Sequence, residues 1–582
     1  MKKALSNNLQ IFSKSNCITE MISVNHFKGF GVTLAILLLM MLVVIPLFFI
    51  FLTSIFPNET LNLFAPLRIF LDEGLKKIFL NTIILGVLVV AGTTLFALPL
   101  AWIMSKTSLS KHEWLDVVLI IPFMTPPYIG SMGWILFMQP NGYFHFIPFV
   151  DMLSPYFFNL TGMVLIMSLQ TFPFLYLILR NALFQVSSNL EDAALIHGGK
   201  AIYSFRRVIL PLLLSSYAMG TLLIFVKTIS EFGTPVTFGR SIGYFVMTTE
   251  IQQYISSWPI DFNKATSLAT ALLSTCLILW YFSSMISRRF TYNLVSGRGS
   301  KVKVYGLKPW QTGLAWTYIL ALLVLSIGVP YFSILVASFM KLRGGGLVWH
   351  NLTFNHYKKL LAWGSESMEA LLNSLSLSLC AATICVSLGT ILALAIEKSR
   401  TWPQRCIDFF SLLPNTVPGI VMVVGLIIVW DAPWMPIPLY NTYGMVVLTY
   451  VVLFLPYTVQ YVKANYTQID ESLVQAGRVF GGKTFYILRR ILLPLLLPGI
   501  LAGWMMTFTI SIRELVAALL ILPPSMQTSA TYIYAQFEQG DLSLGMAMAV
   551  ITVGLTIVML FGVKRSSAFF SQHNSSAQGD YL

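Results

Sequence analysis

The chain has 582 residues, of which 56% are hydrophobic, 14% aromatic and only 10% charged, with a mean hydropathy of +0.75. Soluble domains carry about 25% charged residues, so these figures exclude an ordinary globular enzyme, and so much apolar surface also excludes a disordered chain. At roughly 20 residues per span the apolar content fits ten to twelve membrane helices, with a ceiling near sixteen.

The first 29 residues are polar, and the apolar run at 31–53 is too long for a signal-peptide core, so it is predicted to be an uncleaved first span. Further apolar windows follow at 80–104, 115–138, 159–179, 212–229 and 263–285. A second set lies at 313–338, 371–395, 407–430, 441–462, 495–512 and 545–563. Twelve spans place both termini on one side. If that side is the cytoplasm, the segments facing it hold 26 of the 37 Lys and Arg, while the outer loops 139–158 and 431–440 hold none. Such a bias follows the positive-inside rule. The net charge of +14 therefore reports topology, and no nucleic-acid partner is expected. Outer segments near 60–79 and 350–370 mix Leu, Phe and Trp with Lys and Glu; short interfacial helices and plain loops both fit. The five cysteines show no CxxC spacing, which suggests neither a disulfide framework nor a zinc site.

The two sets of windows are copies of one another. Leu80-Asn81-Thr82 matches Leu372-Asn373-Ser374, Lys106 matches Lys398, and Pro122 and Pro126 match Pro414 and Pro418, all at an offset of 292. After a nine-residue loss the offset is 283, which pairs Pro173 with Pro456, Gly198-Gly199-Lys200 with Gly481-Gly482-Lys483, Pro211 with Pro494, and Glu231 with Glu514. Six spans per half give the repeats the same orientation, a parallel arrangement around a central path. The predicted segmentation is a cytoplasmic N-terminal segment (1–29), a first half (30–286), a basic cytoplasmic linker (287–312), a second half (313–563) and a cytoplasmic tail (564–582).

Between the fourth and fifth spans of the first half, Glu191-Asp192-Ala193-Ala194 precedes Gly198-Gly199, and the segment ends in Ile209-Leu210-Pro211. This resembles the EAA loop of permease subunits of binding-protein-dependent ABC importers. The second copy keeps Ala476, Gly477, Gly481, Gly482 and Leu493-Pro494, but Val474 and Gln475 stand where the acidic pair would be. A short helix, a Gly pair able to adopt left-handed dihedrals, and a second helix entering the membrane are predicted for each loop, with Pro211 and Pro494 in the first turn of the next span.

The resemblance covers nearly the whole chain and is greatest to the ferric-iron type. It implies an all-α polytopic fold of about twelve transmembrane helices as two parallel six-helix repeats, the type I ABC importer permease fold, in a bacterial inner membrane with both termini cytoplasmic. It also implies two partners: a homodimeric ABC ATPase carrying the ATP and magnesium, and an extracytoplasmic solute-binding protein. This chain itself is expected to bind no cofactor and to be a transport subunit rather than an enzyme. Related permeases handle phosphonates, sugar phosphates, thiamine or polyamines.

Gly477 to Thr484 also satisfies the P-loop pattern GxxxxGK[ST], but a phosphate cradle needs a preceding strand that the upstream span does not provide. Few ionisable groups fall in or beside the spans, and such groups are functional candidates by default. Lys227 and Glu231 are four apart and could pair; Arg513 and Glu514 occupy the matching region of the second half. In the family the fifth span lines the path, so these four are candidate path residues; equally, the two glutamates could simply end helices. An ion-coupled carrier of the same span number would need acidic or His residues at mid-membrane, and the spans offer almost none.

The missing acidic pair predicts unequal loops. Glu191→Ala should impair transport-coupled ATP hydrolysis more than Val474→Ala in the reconstituted importer; equal effects would contradict the asymmetry.

Overall fold

The computed structural model describes residues 32–579 except 58–60, 63, 141, 187–195, 197–202, 204, 290–303, 343–344 and 397–400. The described residues form helices joined by turns and irregular segments, and the only bridges among them are isolated ones, Thr107 to Tyr305 and Met340 to Leu352. The first half comprises α1 (Val32–Ile55), α2 (Glu73–Lys106), α3 (Glu113–Met124), α4 (Pro127–Met138), α5 (Leu160–Gln185), α6 (Leu210–Ser230), α7 (Met247–Ser256) and α8 (Phe262–Arg289). The second comprises α9 (Pro309–Phe339), α10 (Glu366–Ala395), α11 (Trp402–Leu412), α12 (Gly419–Trp430), α13 (Tyr443–Tyr466), α14 (Glu471–Val479), α15 (Thr484–Ser511), α16 (Ser529–Gln539) and α17 (Leu542–Gly579).

The predicted spans need one correction. The windows 115–138 and 407–430 are not straight spans: α3 meets α4 at 90°, and the helical stretch through α11 to Asn415 meets α12 at 108°. Pro126 and Pro418 take extended ψ values of 130° and 132° at these corners, where a proline ring and its missing N–H stop helix propagation. Ten helices are thus long and apolar enough to cross a membrane, or twelve if each bent pair is one span. The last helix, α17, continues unbroken past residue 563 to Gly579. Pro211 and Pro494 stand in the first turn of the α-helical segments Leu210–Ser230 and Leu493–Ser511, as expected, and each follows a π-helical turn, Phe205–Ile209 and Leu488–Leu492 respectively.

The same device recurs in the first span of each half. π turns at Met40–Val44 and Val324–Gly328 precede Pro46 and Pro330. In all four cases the proline is the second residue after the widened turn. A proline ring would strike the carbonyl four residues back and leaves it without a donor. Inserting one residue into the turn relieves both problems while the helix continues. The outer segments predicted as either helices or loops contain short helical turns, at Ala65–Leu71 and Asn355–Leu360.

Each half is built on a trio of mutually packed helices: α2, α5 and α6 in the first, α10, α13 and α15 in the second. The Leu-Asn-Thr/Ser repeat motif has a structural role here. Asn81 Nδ2 donates to the Phe245 carbonyl at 3.1 Å and Asn373 Nδ2 to the Gln527 carbonyl at 3.0 Å. Thr82 Oγ1 accepts from Met247 N at 2.9 Å and Ser374 Oγ from Ser529 N at 2.7 Å. The start of the second span therefore pins the N-terminus of α7 or α16, satisfying amides that a helix start leaves open.

The halves interlock. α1 packs on α12 of the other half, and α9 packs on α4. At the two crossings a Cβ on Gly425 would come within 2.7 Å of the Pro46 carbonyl, and one on Gly133 within 2.6 Å of the Pro330 carbonyl. Gly133 and Gly425 are repeat equivalents at offset 292. Small residues permit such close backbone approach between membrane helices. α4 and α12 are buried almost completely between the halves.

Adding bulk at either crossing should force the halves apart. Gly133→Leu and Gly425→Leu are each expected to cost about 1–3 kcal/mol, read as a lowered thermal midpoint of the purified chain. Gly554→Leu, where nothing lies within 4 Å, is the control that should leave the midpoint nearly unchanged.

Candidate functional site

The second EAA-like loop folds as a helical elbow. Asp470 caps α14 by accepting from Ser472 N at 2.8 Å, and Glu471 adds negative charge to its first turn. At its far end Gly481 takes φ +78°, its N–H bonding Arg478 O at 2.9 Å while Gly482 N bonds Gly477 O at 2.9 Å. This is a Schellman stop, which requires a residue free of Cβ strain. Gly477 lets α14 lie against α15, since a Cβ there would come within 2.8 Å of Ile491. Ala476 is exposed, as are Val479 (84%), Phe480 (91%) and Phe485 (71%). The elbow thus presents apolar side chains away from the bundle. Gly477 lies within a helix, so Gly477 to Thr484 does not have the strand-loop-helix geometry of a phosphate cradle. In the first loop, Glu191, Asp192, Ala193, Ala194, Gly198 and Gly199 lie outside the described residues.

Two ion pairs tie down the helices that lead into the elbows. Arg180 Nη2 lies 2.6 Å from Asp116 Oδ2, joining α5 to α3, and Tyr176 donates its hydroxyl proton to the other carboxylate oxygen. The Arg180 guanidinium also sits 4.7 Å over the Phe184 ring. In the second half Lys463 pairs with Asp408, joining α13 to α11. The pairs are repeat equivalents, Asp116 with Asp408 at offset 292 and Arg180 with Lys463 at offset 283. Sequence reasoning passed over them although both offsets were in hand. The first is the drier pair, its side chains 18% and 17% exposed against 31% and 35%.

The path candidates do not pair as the spacing suggests. Glu231 Oε1 accepts from Gly233 N at 2.6 Å and Thr234 N at 3.1 Å, while Glu514 Oε1 accepts from Val516 N at 3.1 Å and Ala517 N at 3.2 Å. Both carboxylates cap the short helical segments that follow, Pro235–Gly239 and Val516–Ile521. Lys227 is not in an ion pair with Glu231; its ammonium stands 5.6 Å over the Phe174 ring. The two offset arrangements share one cause: backbone amides next in sequence reach the carboxylate before any side chain does. Arg513 Nη1 is buried without a hydrogen-bond partner among the described residues. No three His, Cys, Asp or Glu come together among them as a metal site would require.

The difference in exposure separates the two clamps. Asp116→Asn should destabilise the chain by about 1–3 kcal/mol, because a charged donor loses its acceptor in a dry setting. Asp408→Asn should cost at most about 1 kcal/mol. Thermal midpoints of the two purified variants measure the order.

A family model described as "Binding-protein-dependent transport system inner membrane component" matches residues 97–292 and again 385–571. The chain is 25% identical over 544 residues to the ferric transport system permease protein FbpB of Actinobacillus pleuropneumoniae, covering 90% of this chain and 76% of the relative. Over about half its length it is 24% identical to a putative 2-aminoethylphosphonate permease, PhnV, of Salmonella choleraesuis, covering 41% of this chain and 89% of that one. It is also 26% identical to the spermidine/putrescine permease PotC of Escherichia coli, covering 40% and 86%. With the family matched twice, once on each half, the chain belongs to the inner membrane permeases of binding-protein-dependent ABC importers, as a fused two-half member.

Proposed function

We propose that this chain is the passive, two-state pathway of an importer whose cargo is ferric iron. A separate homodimeric ATPase holds one elbow per subunit, and an extracytoplasmic binding protein delivers the solute to the opposite face. Both termini and both elbows face the cytoplasm, in keeping with the Lys/Arg bias. The observation that carries the coupling role is the exposed apolar elbow: a nine-residue helix stopped by Gly481, with Val479, Phe480 and Phe485 turned outward, suits insertion into a groove on another protein. ATP and magnesium belong to that partner, whose closure would favour the outward-open arrangement by binding it better. The ferric assignment draws on the relative that matches along nearly the full chain, whereas the phosphonate and polyamine permeases match about half of it.

Proteoliposomes carrying the chain, its ATPase and its binding protein should take up iron only when ATP is supplied to the ATPase side. Uptake that survives removal of the ATPase but collapses with the ion gradient would overturn the importer reading. Preferential uptake of aminoethylphosphonate or spermidine would replace the cargo alone. Phe480→Asp should cut ATPase co-purification at least about tenfold, as loss of a docking anchor does.

A further inference from the structure

The two corners of the broken spans are not sealed alike. Beside the corner before Gly419, α8 packs on both α1 and α12. Trp280 of α8 also meets Phe409 of α11 edge-on, with ring centroids 5.5 Å apart. Val43, in the π turn of α1, and Leu273 of α8 are 0% and 1% exposed. Their repeat equivalents in the other corner, Ile327 of α9 and Val553 of α17, are only half-buried. The register comes from the matching π turns Met40–Val44 and Val324–Gly328, and from Asp261 and Asp541, which cap α8 and α17 in the same way. Phe409 corresponds to Val117 at offset 292, and that smaller side chain is exposed.

Where the packing falls short, a crevice of about 240 Å³ lies between α3, α9 and α17, lined chiefly by Ile121, Met124, Ile327, Tyr331, Val553 and Ile557. α3 has 12 residues, about 18 Å of helix, so this corner lies inside an apolar layer of about 30 Å. By volume the crevice would hold about eight waters, but a buried water needs about two to four polar partners. The two hydroxyls in the lining are already engaged: Tyr331 is bonded to Thr125 at 2.7 Å, and Thr556 donates to the Thr552 carbonyl at 2.9 Å. Among the described residues no charged side chain lines it. Left empty, it would forfeit dispersion contacts on every wall. Its mouth is rimmed by the exposed side chains of Met124 (38%) and Ile557 (44%), flanked by Val117 and Val558. At membrane depth such an apolar rim faces hydrocarbon.

We propose that this crevice binds one acyl chain of a membrane phospholipid, which completes the first corner as Phe409 and Trp280 complete the second. The tail takes the place of missing side chains, and the headgroup plays no part in recognition. Because Tyr331 in its wall bonds Thr125 of the other half, the tail also supports the interlock. The site rests on the membrane-spanning fold and holds for any cargo.

Native mass spectrometry of the purified full-length chain tests this, after delipidation and re-supply of palmitoyl-oleoyl phosphatidylglycerol, of phosphatidylethanolamine with the same tails, or of diphytanoyl phosphatidylglycerol. The two straight-tailed lipids should be retained alike and the branched one less. Val553→Phe, which fills the crevice, should weaken retention of the tightest-held lipid about tenfold or more, the loss expected when two methylenes are kept out of an apolar slot. Val558→Phe, on the exposed flank, should leave retention unchanged. Ile557→Phe, at the mouth, is a second blocking variant that tests the site if Val553→Phe fails to fold. Delipidation should lower the thermal midpoint of the wild-type chain more than that of the filled variant, whose ring replaces the tail. Equal retention by the wild type and the blocking variants overturns the site. So does a preference set by headgroup rather than by tail, or an equal fall in midpoint for the wild type and the filled variant.

Discussion

Backbone amides and carbonyls in an apolar layer must be bonded within the protein, because no water is there to take them. This chain breaks that continuity twice, at the corners after Met124 and before Gly419, and everything else about the architecture answers to those breaks. Each corner is covered by the first span of the opposite half, at a distance only glycine allows. The interlock is therefore a requirement of the broken helices, and the two repeats complete one another. Neither half has a finished core by itself, which is why one apolar cluster runs through both.

From the covered corners the structure extends towards two ends. Towards one end, α3 and α11 are clamped by the paired ion bridges to α5 and α13, the spans that precede the two loops, and each clamped pair forms a short lever. In the opposite direction, the capped turns after Glu231 and Glu514 fold back against the start of the next helices. The first lever is held by an arginine, a tyrosine and an aromatic face, the second by a lysine alone. The two halves are alike in plan and unequal in stiffness.

Much of this was legible in the residues. The repeat register gave the two matching helical halves and the location of the second elbow, where Gly481 does adopt the left-handed conformation its pattern suggests. Pro122, Pro126, Pro414 and Pro418 were matched in register, yet hydropathy alone cannot tell a corner from a straight span, because both halves of a bent helix remain apolar. The π turns before Pro46, Pro211, Pro330 and Pro494 were equally invisible: the chain widens a turn instead of ending a helix, an outcome decided by tertiary packing. At Lys227 and Glu231 helical spacing suggested a pair, but the helix ends at Ser230, and beyond that point the local amides win.

The crossing of Pro46 against Gly425 also sets an order of assembly. About 380 residues separate the two, so at a synthesis rate of about 5–20 residues per second the first span waits on the order of 20–80 s for its counterpart. Over that interval the Pro46 face of α1, with Leu47 and Ile50 beside it, has lipid or a chaperone as neighbour. The reciprocal contact, Gly133 with Pro330, closes after about half as long a stretch of chain. Biogenesis thus runs from an early-sealed corner to a late-sealed one, and a nascent chain arrested between them would leave the α1 surface open to any helix with a similar glycine face.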